Sequence, residues 1–550
     1  MTDRTAESAL QSEPRPFHPR SEAIFIPRRH GEILIEPSVA EAVEYLNSPT
    51  LRGTPLPPWR YITERAHADL EQYLNLDGAG EADPPEPARG MAETAKRPWI
   101  ITGHQVEFYH AGVWAKVLLA DHLAALAGGT AVDILVDHDT VDHLGLALPQ
   151  RDERAQWKKQ WHLWADANAV AADGLSAPDS RMAESWSREM IRVATESGVI
   201  ETDALRYFLD ALRESRASEY VPWIGLARRT FEKKFGLRVH HVRSSVLCQS
   251  PAWSAFVGLW IKNATRWTEI YNQALADYRR RYRIKSPSRP MPPLAVSDHA
   301  IELPFWIYHR GRPRERLVVK RGDHATIIRP DGPLQLPDMD EGGAQAPTWQ
   351  RVLDEHQLCI RPRALTLTLY VRTFLANLFI HGIGGAMYDE MTDQIAAKIG
   401  MPIGGFMCAS AGWLLPGGHG EHAAQESLVE LKSRRHHLRH NPQLIYRHMS
   451  PSPEVVHLLA ERELLIADLA RRPGRRDPAI IARRREQFRR LGAINARCVA
   501  MSGELEKLDE TLARTESALR QERVLGDREY FFALHGWESL RQLQHRIKTR

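Results

Sequence analysis

The stretch VDHDTVDH, Val136–His143, places three aspartates and two histidines within eight residues. Imidazole beside carboxylate suits proton transfer or the gripping of a substrate amine. It also suits ligation of zinc or another transition metal. Adjacent residues on an extended chain point to opposite faces, so only a subset of the five converges. Asp137, His138 and Asp139 directly follow an apolar run, whereas Asp142 and His143 rank behind them as capping residues. A second group lies in ITGHQVEFYHAGVWAK, where His104, His110 and Lys116 bring protons or positive charge. Gly103 in the same stretch lets a ligand approach the backbone closely. A third group lies in FIHGIGGAMYDEMTD: Gly382, Gly384 and Gly385 open the backbone, with His381, Tyr388 and Asp389 beside them. Acids in the early turns of a helix also serve as plain partners of its dipole.

All three groups need elements to position them. PWIITG is a short apolar run stopped by glycine, and it predicts a buried strand. AGVWAKVLLADHLAALAGG has helical periodicity and a Gly128–Gly129 stop, and AVDILVD predicts a second strand. Strand, helix and strand in so short a span make a βαβ unit with parallel strands. The carboxyl ends of such strands converge on a crevice where helix N-termini offer unpaired N–H groups. VDHDTVDH and TGHQ therefore face one crevice, and FIHGIGG repeats the arrangement of strand, glycine turn and helix.

Around this core the pattern predicts further pieces. From Leu148 to about Gly236 it reads as a tryptophan-rich helical insertion that opens with QWKKQWHLWADANAV. LRVHHVRSSVL reads as a returning strand, Pro251–Tyr282 as one long helix, and LPFWIYHRGRPRERLVVKRGDHATII as antiparallel strands. Later, Leu491, Cys498, Leu505, Leu512 and Leu519 recur every seven residues, with Ile494, Met501, Leu508 and Thr515 between them. That is the spacing of a coiled-coil seam. A helix at about 454–472 precedes it across RRPGRRDP, which predicts an antiparallel hairpin. The division expected is a lead-in over 1–95 packed on an α/β core over 96–425, then a helical hairpin and tail over 426–550. The core carries the helical insertion at about 150–236 and a β appendage at about 295–330.

The bulk properties exclude several classes. A net charge of +4 on 550 residues demands no nucleic-acid partner, and the run RRPGRRDPAIIARRREQFRR is read as a solvated face. Four widely spaced cysteines without a CxxC pair argue against a disulfide framework or a cysteine-built zinc site. They fit a reducing, cytoplasmic setting. No apolar run reaches the ~18 residues of a membrane helix, and the polar opening MTDRTAESALQSEPRPFHPR is no secretory signal.

Taken in order, these segments resemble the BshC family, the cysteine-adding ligases of bacillithiol biosynthesis. The family's TGQQ-type turn is matched by Thr102, Gly103 and Gln105, its helical lysine by Lys116, and its DHD by Asp137, His138 and Asp139. KKFGLRVHHVRSSVL is similar to its FG strand, Arg361–Pro362 to its arginine–proline pair, and HGIGGAMY to its GGPGE-type turn before a tyrosine. The similarity runs from about Pro98 onward. The chain departs at His104, at Ile383 and Gly385, which stand where the family has proline and glutamate, and in a longer segment before the glycine turn.

The resemblance implies an α/β protein with a Rossmann-like, nucleotidyltransferase-related core and a C-terminal coiled coil that forms a homodimer. It implies a ligase that joins cysteine or a related amino acid to the amine of an amino-sugar conjugate. The cofactor stays unassigned: ATP would serve as the activating cosubstrate that amide formation needs, and no metal is expected. On this reading Asp137, His138, Asp139, His104 and His110 are catalytic. Thr102, Gly103, Gln105, Lys116, Arg361, His381, Gly382, Gly384, Gly385, Tyr388 and Asp389 hold substrate or nucleotide. The partners are small molecules, with neither nucleic acid nor membrane. Two other functions fit the same residues: a metal-dependent hydrolase built on the Asp/His cluster, and a non-catalytic coiled-coil scaffold that binds a small ligand.

Overall fold

Apolar runs separated by glycine turns and amphipathic helices form the strands that hold all three candidate groups. The computed structural model describes residues 17–48, 59–78, 97–167, 169–339, 343–363, 365–418, 422–447, 449–471 and 478–550. Parts of the expected lead-in, nearly all of the Pro/Gly/Ala-rich loop at 78–98 and most of RRPGRRDP lie outside the described residues. The chain divides into two compact units. The first comprises Met1–Leu148, Lys159–Leu415 and Arg528–Arg550, and the second Pro149–Lys158 and Pro416–Asp527. The expected boundary near 425 thus falls at 415, and the tail belongs to the first unit rather than to the helical one.

The chain begins with β1 (Glu32–Glu36), α1 (Val39–Asn47), α2 (Trp59–Gly78), β2 (Trp99–Gln105), α3 (Ala111–Ala127) and β3 (Thr130–Val136). There follow β4 (Leu144–Arg151), β5 (Trp157–Ala165), α4 (Ser180–Ser197), α5 (Thr202–Glu214), α6 (Tyr220–Phe235) and β6 (Val239–Arg243). Next come α7 (Pro251–Lys262), α8 (Ala264–Arg281), β7 (Ala300–His309), β8 (Glu315–Lys320), β9 (Asp323–Ile328) and β10 (Leu334–Gln335). Then come α9 (Ala346–Glu355), β11 (Leu358–Pro362), α10 (Leu365–Phe374), β12 (Leu378–His381), α11 (Ile383–Ile399) and β13 (Gly405–Gly412).

The main sheet has the order β1-β13-β12-β2-β3-β6. All its pairs are parallel except that of β1, which lies antiparallel along β13. Alternate residues feed two separate cores. Ile101, Val132, Ile134, Phe379 and Phe406 join one, with Trp253 of α7 and Phe374 of α10. Ile100, Ala131, Leu135, Ile380 and Met407 join the other, with Trp114 and Leu118 of α3. Burial on both faces explains why these strands read as apolar runs rather than as alternating patterns. A second, antiparallel sheet has the order β10-β9-β8-β7-β11.

Three expectations are corrected. QWKKQWHLWADANAV is not helical at its start: Trp157–Ala165 is the strand β5, which pairs with β4. Trp157, Trp161 and Trp164 fall at helical spacing, but Trp164 packs instead on Trp186 of α4 and Trp223 of α6 at 5.0 and 5.5 Å between centroids. The long helix over Pro251–Tyr282 is two helices, parted at Asn263. The seven-residue run is likewise divided.

In the second unit the helices are α12 (His422–His440), α13 (Pro453–Ala470), α14 (Pro478–Ser502) and α15 (Glu504–Leu525). Gly503, at a φ of 64° in the left-handed region, separates α14 from α15. Ile494, Cys498, Leu508, Leu512 and Leu519 of the run are already buried within the chain, while Met501 at the break is exposed. Helix α13 lies antiparallel to α14, with ion pairs from Glu454 to Arg497, Glu461 to Arg490 and Asp468 to Arg483. Helix α12 pairs with α15 through Lys432–Glu516 and Arg435–Asp509. After α15 the chain returns to the first unit and ends in α16 (Gly536–Lys548). Among the described residues no helix is long and apolar enough to cross a membrane.

Candidate functional site

β3 ends at Val136 and the chain turns at once. Asp137 is wholly buried. Its Oδ1 accepts from Ser244 Oγ and Ser245 N, both at 2.7 Å, and its Oδ2 from Ser245 Oγ at 2.5 Å. These serines open the single helical turn Ser244–Leu247 after β6, so Asp137 ties the end of β3 to the end of β6. Internal donors from Ser244 and Ser245 thus meet both oxygens of this carboxylate.

His138 lies 2.7 Å through Nδ1 from Ser244 Oγ. That hydroxyl already gives its proton to Asp137, so the ring must donate Nδ1–H, which leaves Nε2 a bare lone pair. Burial outweighs the pull of Asp137 and Asp139 and lowers the ring to about 4, which keeps it neutral near pH 7. Asp139 accepts from Arg314 Nη1 at 2.6 Å and from Gln105 Nε2 at 2.7 Å. Burial alone would raise this carboxyl, but the Arg314 charge and hydrogen bond hold it below the usual range. Arg361 is buried nearby on β11, its Nε 3.8 Å from Asp173 Oδ2, the oxygen that Tyr308 also reaches at 3.0 Å. His143 lies outside the cluster, stacked on Trp161 at 3.7 Å between ring centroids.

The turn after β2 is more structural than its residues suggest. Thr102 Oγ1 donates to Ile380 O at 2.9 Å and stitches β2 to β12. Lys116 Nζ donates to Gly103 O at 2.6 Å, and burial lowers this ammonium to about 8. A Cβ on Gly103 would come within 3.0 Å of Ile134 O, so glycine permits the approach of β3. Burial, with the Lys116 charge adding to it, brings His104 down to about 3. His110 is the N-cap of α3: its Nδ1 accepts from Gly112 N at 3.0 Å, and burial pushes the ring well below its ordinary value. The ring of His110 is thus engaged in capping. Arg528, from the returning tail, donates to Ser410 Oγ at 2.7 Å, and a side chain on Gly112 would collide with it.

The end of β12 is built differently. His381 Nε2 lies 2.9 Å from Asp389 Oδ2, which comes two turns into α11. Arg372 Nη1 donates to the same oxygen at 2.5 Å, while its Nη2 reaches Asp393 Oδ1 and Gly404 O, each at 2.7 Å. Burial by itself would raise Asp389, but the charges of Arg372 and His381 hold it far below the usual carboxylate range. An ionised carboxylate only accepts, so His381 carries its proton on Nε2 and leaves Nδ1 bare. Nδ1 has no hydrogen-bond partner among the described residues.

Gly382 is the N-cap of α11, and no side chain caps this helix. Gly384 and Gly385 are exposed, and a Cβ on Gly384 would meet nothing within 4 Å. A Cβ on Gly382 would lie 3.9 Å from Cδ of Lys116, so the α11 N-terminus and Lys116 are neighbours. Tyr388 does not join this group; it packs toward Tyr278, 6.1 Å between centroids. An open helix N-terminus, a buried lysine stem and a bare imidazole nitrogen can hold an anionic group and take up a proton beside it.

The sequence reading missed Arg372, Ser244, Ser245, Arg314 and Arg528. A lone arginine in the apolar stretch LTLTLYVRTF is the signal that points to Arg372, since a buried guanidinium requires carboxylates. No local signal marks the others, whose partners are distant in sequence. No protein-family model matches the chain, and no curated protein matches it.

Proposed function

We propose that the chain is a BshC-like ligase, with a Rossmann-like, nucleotidyltransferase-related core that passes an activated carboxyl group to an amine. The observation that carries this reading is the reversal of strand order between β2 and β12 in the parallel sheet. Read outward from β2, the parallel strands go to β3 and β6 on one side and to β12 and β13 on the other. The order therefore reverses beside β2, and ligands of open α/β sheets bind at such a point. There the N-terminus of α11 suits the phosphate or carboxylate of the activated acid, with Lys116 alongside. Cysteine or a related amino acid supplies the acid and an amino-sugar conjugate the amine. ATP is the activating cosubstrate, because an amide does not form from a free carboxylate without one. Self-association through the helical unit belongs to the same reading, and light scattering of the full chain measures it.

The test is mass spectrometry of low-molecular-weight thiols in cells with and without the protein. The ligase reading requires a thiol conjugate that disappears with the protein, and an unchanged thiol pool overturns it.

A further inference from the structure

From the geometry at the end of β12 we infer that His381 is the general base of this site, with Asp389 and Arg372 as its positioning residues. The inference rests on the ligase reading only for the identity of the reaction. His381 is 95 % buried, being 5 % exposed, yet its Nδ1 has no partner among the described residues. That nitrogen faces the first turn of α11, because a Cβ placed on Gly385 would lie only 2.5 Å from it. Gly385 is itself exposed, so the absence of a side chain there is what opens Nδ1 to the crevice. The opposite ring nitrogen is fixed by Asp389 at 2.9 Å, and Asp389 is fixed by Arg372 at 2.5 Å.

The roles follow from these contacts. Asp389 selects the tautomer with the proton on Nε2 and stabilises the imidazolium formed when Nδ1 is protonated. Arg372 bonds to Asp389, Asp393 and the carbonyl of Gly404, which fixes the carboxylate in turn. The activated acid is an acyl phosphate or acyl adenylate, made from the carboxylate and a nucleoside triphosphate. The amine nitrogen forms the new bond to the carboxyl carbon. The phosphate or nucleotide leaves with the electron pair of the bond that breaks. The proton shed by the nitrogen passes to Nδ1. The N–H groups at the start of α11 lie beside that nitrogen and meet the negative charge of the leaving group.

Two measurements decide it. In the first, the native full-length chain is treated with diethyl pyrocarbonate, and carbethoxylation of each histidine is followed by peptide mass spectrometry. His381 should react in the folded wild type, and Gly385→Ala should slow that reaction at least ~10-fold by covering Nδ1, the nitrogen on which the base role depends. A His381 that stays unmodified, or that reacts equally in both proteins, overturns the inference whatever the reaction is. In the second, on the amide-forming reaction, His381→Gln should lower kcat about 10²–10⁴-fold with KM unchanged. Added imidazole should restore part of the turnover of His381→Gly. Full kcat in His381→Gln overturns the base role. Should no acid and amine pair turn over, the ligase reading falls while the labelling result still decides whether Nδ1 is open as described.

Discussion

His138 and His381 lie at the carboxyl ends of the two strands that flank β2, and each has one ring nitrogen held and the other without a partner among the described residues. The difference lies in what holds them. The Nδ1–H of His138 meets a serine hydroxyl, and burial, which outweighs the pull of Asp137 and Asp139, keeps that ring neutral, with Arg361 and Arg314 adding to the effect. The Nε2–H of His381 meets an ionised aspartate directly. Residues that look equivalent in sequence thus divide into a ring held by a serine hydroxyl and a ring held by an ionised carboxylate. VDHDTVDH is richer in ionisable side chains, but most of its capacity is used in tying β3 to β6 and to Arg314.

The comparison can be broken in four ways. Asp137→Ala strands the buried donors of Ser244 and Ser245, and it should cost about 3–5 kcal/mol in urea unfolding. Full stability with a loss confined to activity would move the chemistry back to the DHD. The second test is pH. His138, at about 4, and His104, at about 3, bind no proton in the folded chain where the unfolded chain does, below the ordinary value of about 6.5. Their contribution is fully present above that value and is lost as pH falls toward 4. Stability should drop across this window by on the order of 1.4 kcal/mol per pH unit for each ring, read as a falling melting temperature. His138→Gln should flatten the slope, and an unchanged slope would mean that its ring is not held neutral.

Third, Gly385→Ala should destabilise by about 1–3 kcal/mol through its collision with the fixed ring of His381. Gly384→Ala, with open space around it, should stay within about 0.5 kcal/mol of wild type in the same thermal melts. Equal effects would mean that the His381 ring is free to swing away. The smallest effect is that of Gln105→Ala, which removes one of two side-chain donors to Asp139 and should cost about 1 kcal/mol. A larger loss would mean that Arg314 holds Asp139 less firmly than the 2.6 Å contact indicates.

What was legible in the sequence was local. The β2–α3–β3 unit is visible because its apolar runs and the Gly128 stop are decided within a few residues of one another. β5 was misread because Trp157, Trp161 and Trp164 repeat at the period of a helix, whereas the segment pairs with β4 and Trp164 packs on distant partners in α4 and α6. The seam through Gly503 follows the heptad faultlessly, yet a single left-handed residue cuts it into two helices. The site shows the same limit. His381 and Asp389 stood out, being eight residues apart in one motif, whereas the serines holding Asp137 and His138 arrive more than a hundred residues later.

The returning tail has a consequence for biosynthesis. Phe532 N donates to Tyr109 O, Trp413 reaches Ser539, and Arg546 reaches the carbonyl of Gly31. The sheet is flanked by a segment that the ribosome makes only after the entire helical unit. A nascent chain that has already emerged through β13 still lacks Phe531 and Phe532, which fill the aromatic cluster around Phe108, Trp114 and Phe208. Such late, long-range closure is slow and leaves apolar surface uncovered in the meantime. Chaperone demand during translation should therefore persist until synthesis has passed Asp527, and release of the chain at that point should leave an aggregation-prone α/β unit.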